Sequence, residues 1–128
     1  MSYHFSKVLD TDMDSAIEKV TAALAAEGFG VLTEIDVKAT LKKKIDVDFR
    51  PYRILGACNP GFAHKALEAE DKIGTMLPCN VIVQEIAPGK VEVSAIDPMA
   101  SMQAVNNPAL GEIAHDVRSK LMHVVEGL

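Results

Sequence analysis

Tryptophan is absent from this chain and aromatic residues make up only 5% of it, so a core must be built from Val, Ile, Leu, Ala and Met. Cysteine occurs only twice, at Cys58 and Cys79. Two thiols at that separation cannot make the disulfide framework of a small secreted domain. No apolar run approaches the roughly 20 residues that a membrane helix requires. The opening Tyr3-His4-Phe5-Ser6-Lys7 lacks the charged-then-apolar order of a secretion signal. No membrane association is expected, and the expected compartment is cytoplasmic. Positive charge is short as well, and the formal net charge of -5 argues against a general nucleic-acid binder.

Catalytic signatures are missing too. No phosphate loop, dinucleotide fingerprint, Ser-centred elbow or carboxylate pair is visible. Gly28-Phe29-Gly30 opens a strand after a helix, the reverse of the order a phosphate cradle needs. Asp46 and Asp48 stand two apart, which does not place them on one helix face. No catalytic residue, metal site or cofactor is indicated, and whether the chain is an enzyme stays open.

What remains is an ordinary globular composition: 128 residues, 48% hydrophobic and 24% charged, read as one domain over 1–128. Tyr3 to Leu9 reads as a strand. Thr11-Asp12-Met13-Asp14 then caps an amphipathic helix in which Met13, Ala16, Ile17, Val20, Ala23 and Leu24 share a face, with Gly28 as its stop. Phe29 to Ile35 reads as a second strand. Asp36 caps a short helix (Val37, Leu41, Ile45) that Pro51 terminates. Tyr52 to Cys58 is a third strand, and Asn59-Pro60 is a cap followed by Pro at the first helical position. In that third helix Phe62, Ala63, Ala66 and Leu67 form the expected buried stripe. Cys79 to Ile86 and Lys90 to Ile96 make a hairpin around Pro88-Gly89. Asp97-Pro98 starts a helical turn, and Asn107-Pro108 starts a long last helix whose Leu110, Ile113, Ala114, Val117, Leu121 and Val124 keep helical spacing. A hairpin inside this order excludes an all-parallel sheet. The expectation is an α+β fold, an antiparallel sheet with two long helices on one face.

Chemistry is most concentrated at the two Cys-Asn dipeptides. Cys58-Asn59 ends one predicted strand and Cys79-Asn80 begins another, so antiparallel neighbours would bring both cysteines to one end of the sheet. A thiol beside a helix start has its thiolate stabilised, and Arg53 could add to this. His64, early in the same helix, is the nearest base or further ligand. Three readings follow: a reversible disulfide, a soft-metal site, or a nucleophilic thiolate. Against all three stands the ordinary behaviour of cysteine as a small buried hydrophobe. Met76, Met99 and Met102 fall near these turns as core filling or as an adaptable pocket wall, and His4, His115 and His123 are scattered. A basic stretch runs from Lys38 to Arg53 and includes Lys42, Lys43 and Lys44; with Asp36 counted it holds a surplus of three positive charges. It reads as a solvated helix face or as a dock for an anionic ligand.

Three blocks resemble a known family: Phe29-Gly30-Val31-Leu32-Thr33-Glu34-Ile35-Asp36, Tyr52-Arg53-Ile54-Leu55-Gly56-Ala57-Cys58-Asn59-Pro60 and Leu77-Pro78-Cys79-Asn80-Val81. They are similar to the bacterial and archaeal domain of unknown function 302. The resemblance implies a strand–helix–four-strand–helix order like that of the TATA-binding-protein folds, and self-association; it carries over no reaction and no catalytic residue. Two functions are therefore expected to compete. One is a self-associating (dimeric) binding module for a small apolar or anionic ligand or a protein partner. The other is a thiol-based redox or metal protein acting through Cys58 and Cys79.

Overall fold

A computed structural model describes residues 2–128. Its elements are β1 (His4–Leu9), α1 (Met13–Ala26), β2 (Gly30–Asp36), α2 (Val37–Ile45), β3 (Tyr52–Cys58), α3 (Pro60–Ala69), β4 (Cys79–Ala87), β5 (Lys90–Ile96), α4 (Pro98–Ser101) and α5 (Pro108–Glu126). A 3-10 helix over Asp71–Met76, with no counterpart in the sequence reading, links α3 to β4. The five strands form one antiparallel sheet in the order β1-β5-β4-β3-β2. Strands β2 to β5 meander, and β1 closes the far edge beside β5. This is the expected α+β architecture, with α1 and α5 packed together on one face of the sheet.

Local chemistry explains where the helices begin. Asp12, Asp36, Asn59, Asp97 and Asn107 each accept a backbone N–H from the first turn of the helix that follows. Pro opens α3, α4 and α5, where its missing N–H costs nothing. Gly89 takes a φ of +74° in the β4–β5 turn, a conformation that L side chains rarely adopt.

Alternation along the strands separates two faces. Val81, Val83, Val91 and Val93 are completely buried beneath Ala16, Val20 and Leu24 of α1 and Leu121 of α5. Burying each of these valines is worth about 1.5–3 kcal/mol relative to exposure. The opposite face carries no helix of the pair. On it Ile35, Ile54 and Ile82 line up across three strands, followed in the same row by Ser94 and Ser6, whose hydroxyls lie 2.7 Å apart.

Helix α2 is the exception to burial-driven structure, because none of its residues is buried and Ile45 is 63% exposed. Its ends hold it instead. The Asp36 side chain accepts the Ala39 N–H at 2.9 Å, and Lys42, Lys43 and Lys44 sit at the negative end of the helix dipole.

Candidate functional site

The β3–β4 ladder places Cys79 directly opposite Ala57, with Cys58 one residue out of register. Both cysteines thus reach the same end of the sheet, as their position at the strand ends requires. Successive residues of a strand turn to opposite sides. Cys79 therefore follows the face of Val81 and Val83, and Cys58 that of Ile54 and Tyr52. Only the first is the helix-covered core face; Ile54 and Tyr52 are half-buried on the other side. Both cysteines are free thiols and are not a bonded pair.

Around this sheet end lies a cavity of about 280 Å³. Ala57, Cys58 and Cys79 line it at the strand ends. One wall is the inner face of α3, where Phe62, Ala63 and Ala66 stand, and the facing wall is Ile113, Ala114 and Val117 of α5. Leu77 and Pro78 close one side, with Met102 and Pro98 from the α4 region beside them. The only strongly polar side chain in the lining is Asn59. Its side-chain oxygen is already committed to the Phe62 N–H at 3.4 Å, capping α3. Its amide nitrogen packs against Gly28, 3.0 Å from where a β-carbon on that glycine would stand.

Electrostatics follow from this lining. Burial pushes the Cys79 thiol up to about 11 from an ordinary 9.0, with a further rise from charge on the neighbouring Cys58. The thiolate of Cys79 is therefore scarce at neutral pH, the reverse of what a nucleophile needs.

Other residues singled out from the sequence are engaged elsewhere. His64 is exposed and its Nε2 meets Glu68 Oε1 at 3.1 Å, one turn along the outer side of α3; it does not line the cavity. Arg53 sits toward the far end of β3, where its guanidinium pairs with Glu34 at 2.9 Å and Asp36 at 3.4 Å. Asn80 follows Cys79 but lines a depression on the helix-free face with Tyr52 and Ile82. Lys42 is spent on Asp46 and Asp48 at 2.9 and 3.3 Å, while Lys43 and Lys44 are exposed. An anion docking there would meet the negative end of the α2 dipole. Of the methionines, Met102 joins the cavity wall, whereas Met76 and Met99 are exposed. Among the described residues no cluster of three or more His, Cys, Asp or Glu side chains is arranged to hold a metal ion. No helix among them is long and apolar enough to cross a membrane.

Sequence reasoning missed several cavity residues. Leu32, Ile113 and Leu77 carry no signature of a site, because an apolar wall and an apolar core stripe look alike in a sequence. In the structure the β2–β3 register shifts between Val31 and Thr33, which leaves Leu32 without a cross-strand partner and exposed.

No curated protein matches the chain. The crystal structure of an uncharacterized conserved protein DUF302 from Bacillus stearothermophilus superimposes with a TM-score of 0.90 at 32% identity, covering 98% of each chain. The family described as Domain of unknown function DUF302 matches residues 5–128, and this chain belongs to that family.

Proposed function

We propose that this protein is a binding module for a small ligand, and that the cavity between α3, α5 and the end of the β3–β4 ladder is its site. One observation carries the reading. About 280 Å³ of space, close to the lower end of ligand pockets at ~300 Å³, is lined almost wholly by apolar groups and opens to the surface. A close-packed interior would fill such a volume with side chains. The test is titration calorimetry with acetonaphthone, a small neutral aromatic ketone. Saturable one-to-one binding with a Kd on the order of 10–100 µM is expected from its size. Ala63→Phe fills the cavity and should abolish it; unchanged binding by a folded Ala63→Phe protein would show that the probe sits elsewhere.

The thiol reading finds less support. Cys79 is held protonated, His64 is bonded to Glu68 and Arg53 to two carboxylates, so neither cysteine has a base or a cationic partner from this set. Cys79 serves better as a small, soft wall group.

A second reading concerns the helix-free face, where the aligned Ile35, Ile54 and Ile82 favour pairing with a second copy of the chain. Five strands at ~4.8 Å spacing and six residues at ~3.3 Å rise give a footprint on the order of 20 by 20 Å. That suits a weak dimer at the small end of specific interfaces. Light scattering after gel filtration should show mass rising with concentration, and Ile54→Lys should suppress it. A clean monomer at millimolar concentration would refute this pairing.

A further inference from the structure

Resting on the cavity as the ligand site, we infer that it selects uncharged molecules: a hydrocarbon body of about twelve heavy atoms with a hydrogen-bond-accepting oxygen at one end. Three independent features carry this.

The lining contains no Asp, Glu, Lys, Arg or His side chain. Its only titratable members are the two thiols, and Cys79 is held in its neutral form by burial. A carboxylate or ammonium entering here would lose its hydration and find no opposite charge. In the β2–α2–β3 region Arg53 is engaged with two carboxylates, Arg50 is hydrogen-bonded to Gln84, and the lysines are exposed on α2; none lines the cavity. An anionic ligand, one of the expectations from the basic stretch, thus fits this site poorly.

The mouth is apolar as well. Leu32, turned out by the bulge in β2, is 69% exposed, and Leu67 of α3 is 43% exposed; both line the cavity. Two large aliphatic side chains held in water at the lips of one opening cost the free protein hydration, and an apolar guest would cover them. Bulges beside sites commonly re-aim a side chain in this way.

Asn59 supplies the polar end. With its oxygen committed to the Phe62 N–H, the amide NH₂ is the group left to donate, which suits a ketone, ester or ether oxygen. Size follows from volume. An apolar cavity of ~150 Å³ holds a benzene ring, so one near 280 Å³ suits about twice as many atoms.

The test compares acetonaphthone with naphthoate, two molecules of nearly equal shape that differ by one negative charge. Both are titrated calorimetrically into the wild-type protein, Ala63→Phe and Leu32→Ser. The ketone should bind at least about a hundredfold more tightly than the carboxylate, reflecting an uncompensated buried charge. Ala63→Phe should remove binding, and Leu32→Ser, a change at an exposed position, should weaken it several-fold while leaving the fold intact. Equal binding of both probes, blocked by Ala63→Phe, would overturn the preference for uncharged ligands while leaving the cavity as the site. No binding of either probe, or binding indifferent to Ala63→Phe in a folded protein, would overturn the site itself. Unaltered affinity in Leu32→Ser would remove the role of the lips.

Discussion

Replacing Cys58 with Ala leaves Cys79 as the sole thiol and turns its environment into a measurable reaction rate. Only the thiolate reacts with an alkylating reagent. With an ordinary value of 9.0, about one thiol in ten is ionised near pH 8; at about 11 the fraction is near one in a thousand. Native Cys79 should therefore label about a hundredfold more slowly than the same residue in urea, before any steric shielding is counted. Burial is the larger cause of the rise, so most of this difference should survive the loss of Cys58. The same shift has a thermodynamic consequence. Below pH 9 the thiol is protonated in both folded and unfolded chains. Between about 9 and 11 the unfolded chain releases the proton and the folded one keeps it, so stability falls as pH rises, by up to about 2–3 kcal/mol. Urea melts of wild type and Cys79→Ala across that interval isolate this contribution, because other titrating groups are common to both. Fast native labelling with a midpoint at or below 9, or identical pH slopes in the two proteins, would refute the buried neutral thiol and reopen a reactive-cysteine mechanism.

Gly56→Ala should destabilise the protein by roughly 1–3 kcal/mol in urea melts, since its β-carbon would collide with Thr33 Oγ1 and stand 2.8 Å from Pro78 Cγ. A neutral effect would mean that this sheet end is looser than described. Asn107→Ala removes the α5 cap together with a side-chain bond to the Ala69 carbonyl at 2.9 Å, and should cost about 2 kcal/mol by the same measurement. Glu27 pairs with His123 and with Lys120, and its carboxyl is held below its usual value chiefly by the hydrogen bond to His123. Its contribution is present above pH 4.5 and lost on acidification, so Glu27→Gln should flatten the acid limb of the stability profile; an unchanged limb would assign that slope to other carboxylates.

Much of the fold was legible because local chemistry and global packing agree. Strands β3 and β5 begin and end where turn residues and caps place them, and each Asn-Pro or Asp-Pro pair starts a helix. Legibility failed where burial, not sequence pattern, decides. Leu67 belongs by periodicity to the buried stripe of α3, yet only Ala66 of that helix is buried, because the cavity takes the space a packed neighbour would occupy. The 3-10 helix over Asp71–Met76 lacks an amphipathic period, and its one buried side chain is Ile73. Cys58 and Cys79 could be brought to one sheet end from strand order alone. The engagement of His64 and Arg53 elsewhere could not, since it depends on Glu68, Glu34 and Asp36 offering nearer partners.

The account stands most directly on where a small neutral guest binds. Titrating acetonaphthone into isotope-labelled protein and following backbone amide resonances locates it. The largest shifts should fall on Ala57, Cys58, Asn59, Ala63 and Cys79, around the cavity. Shifts confined to the Ile35–Ile54–Ile82 face, or none at ligand concentrations well above 100 µM, would contradict it.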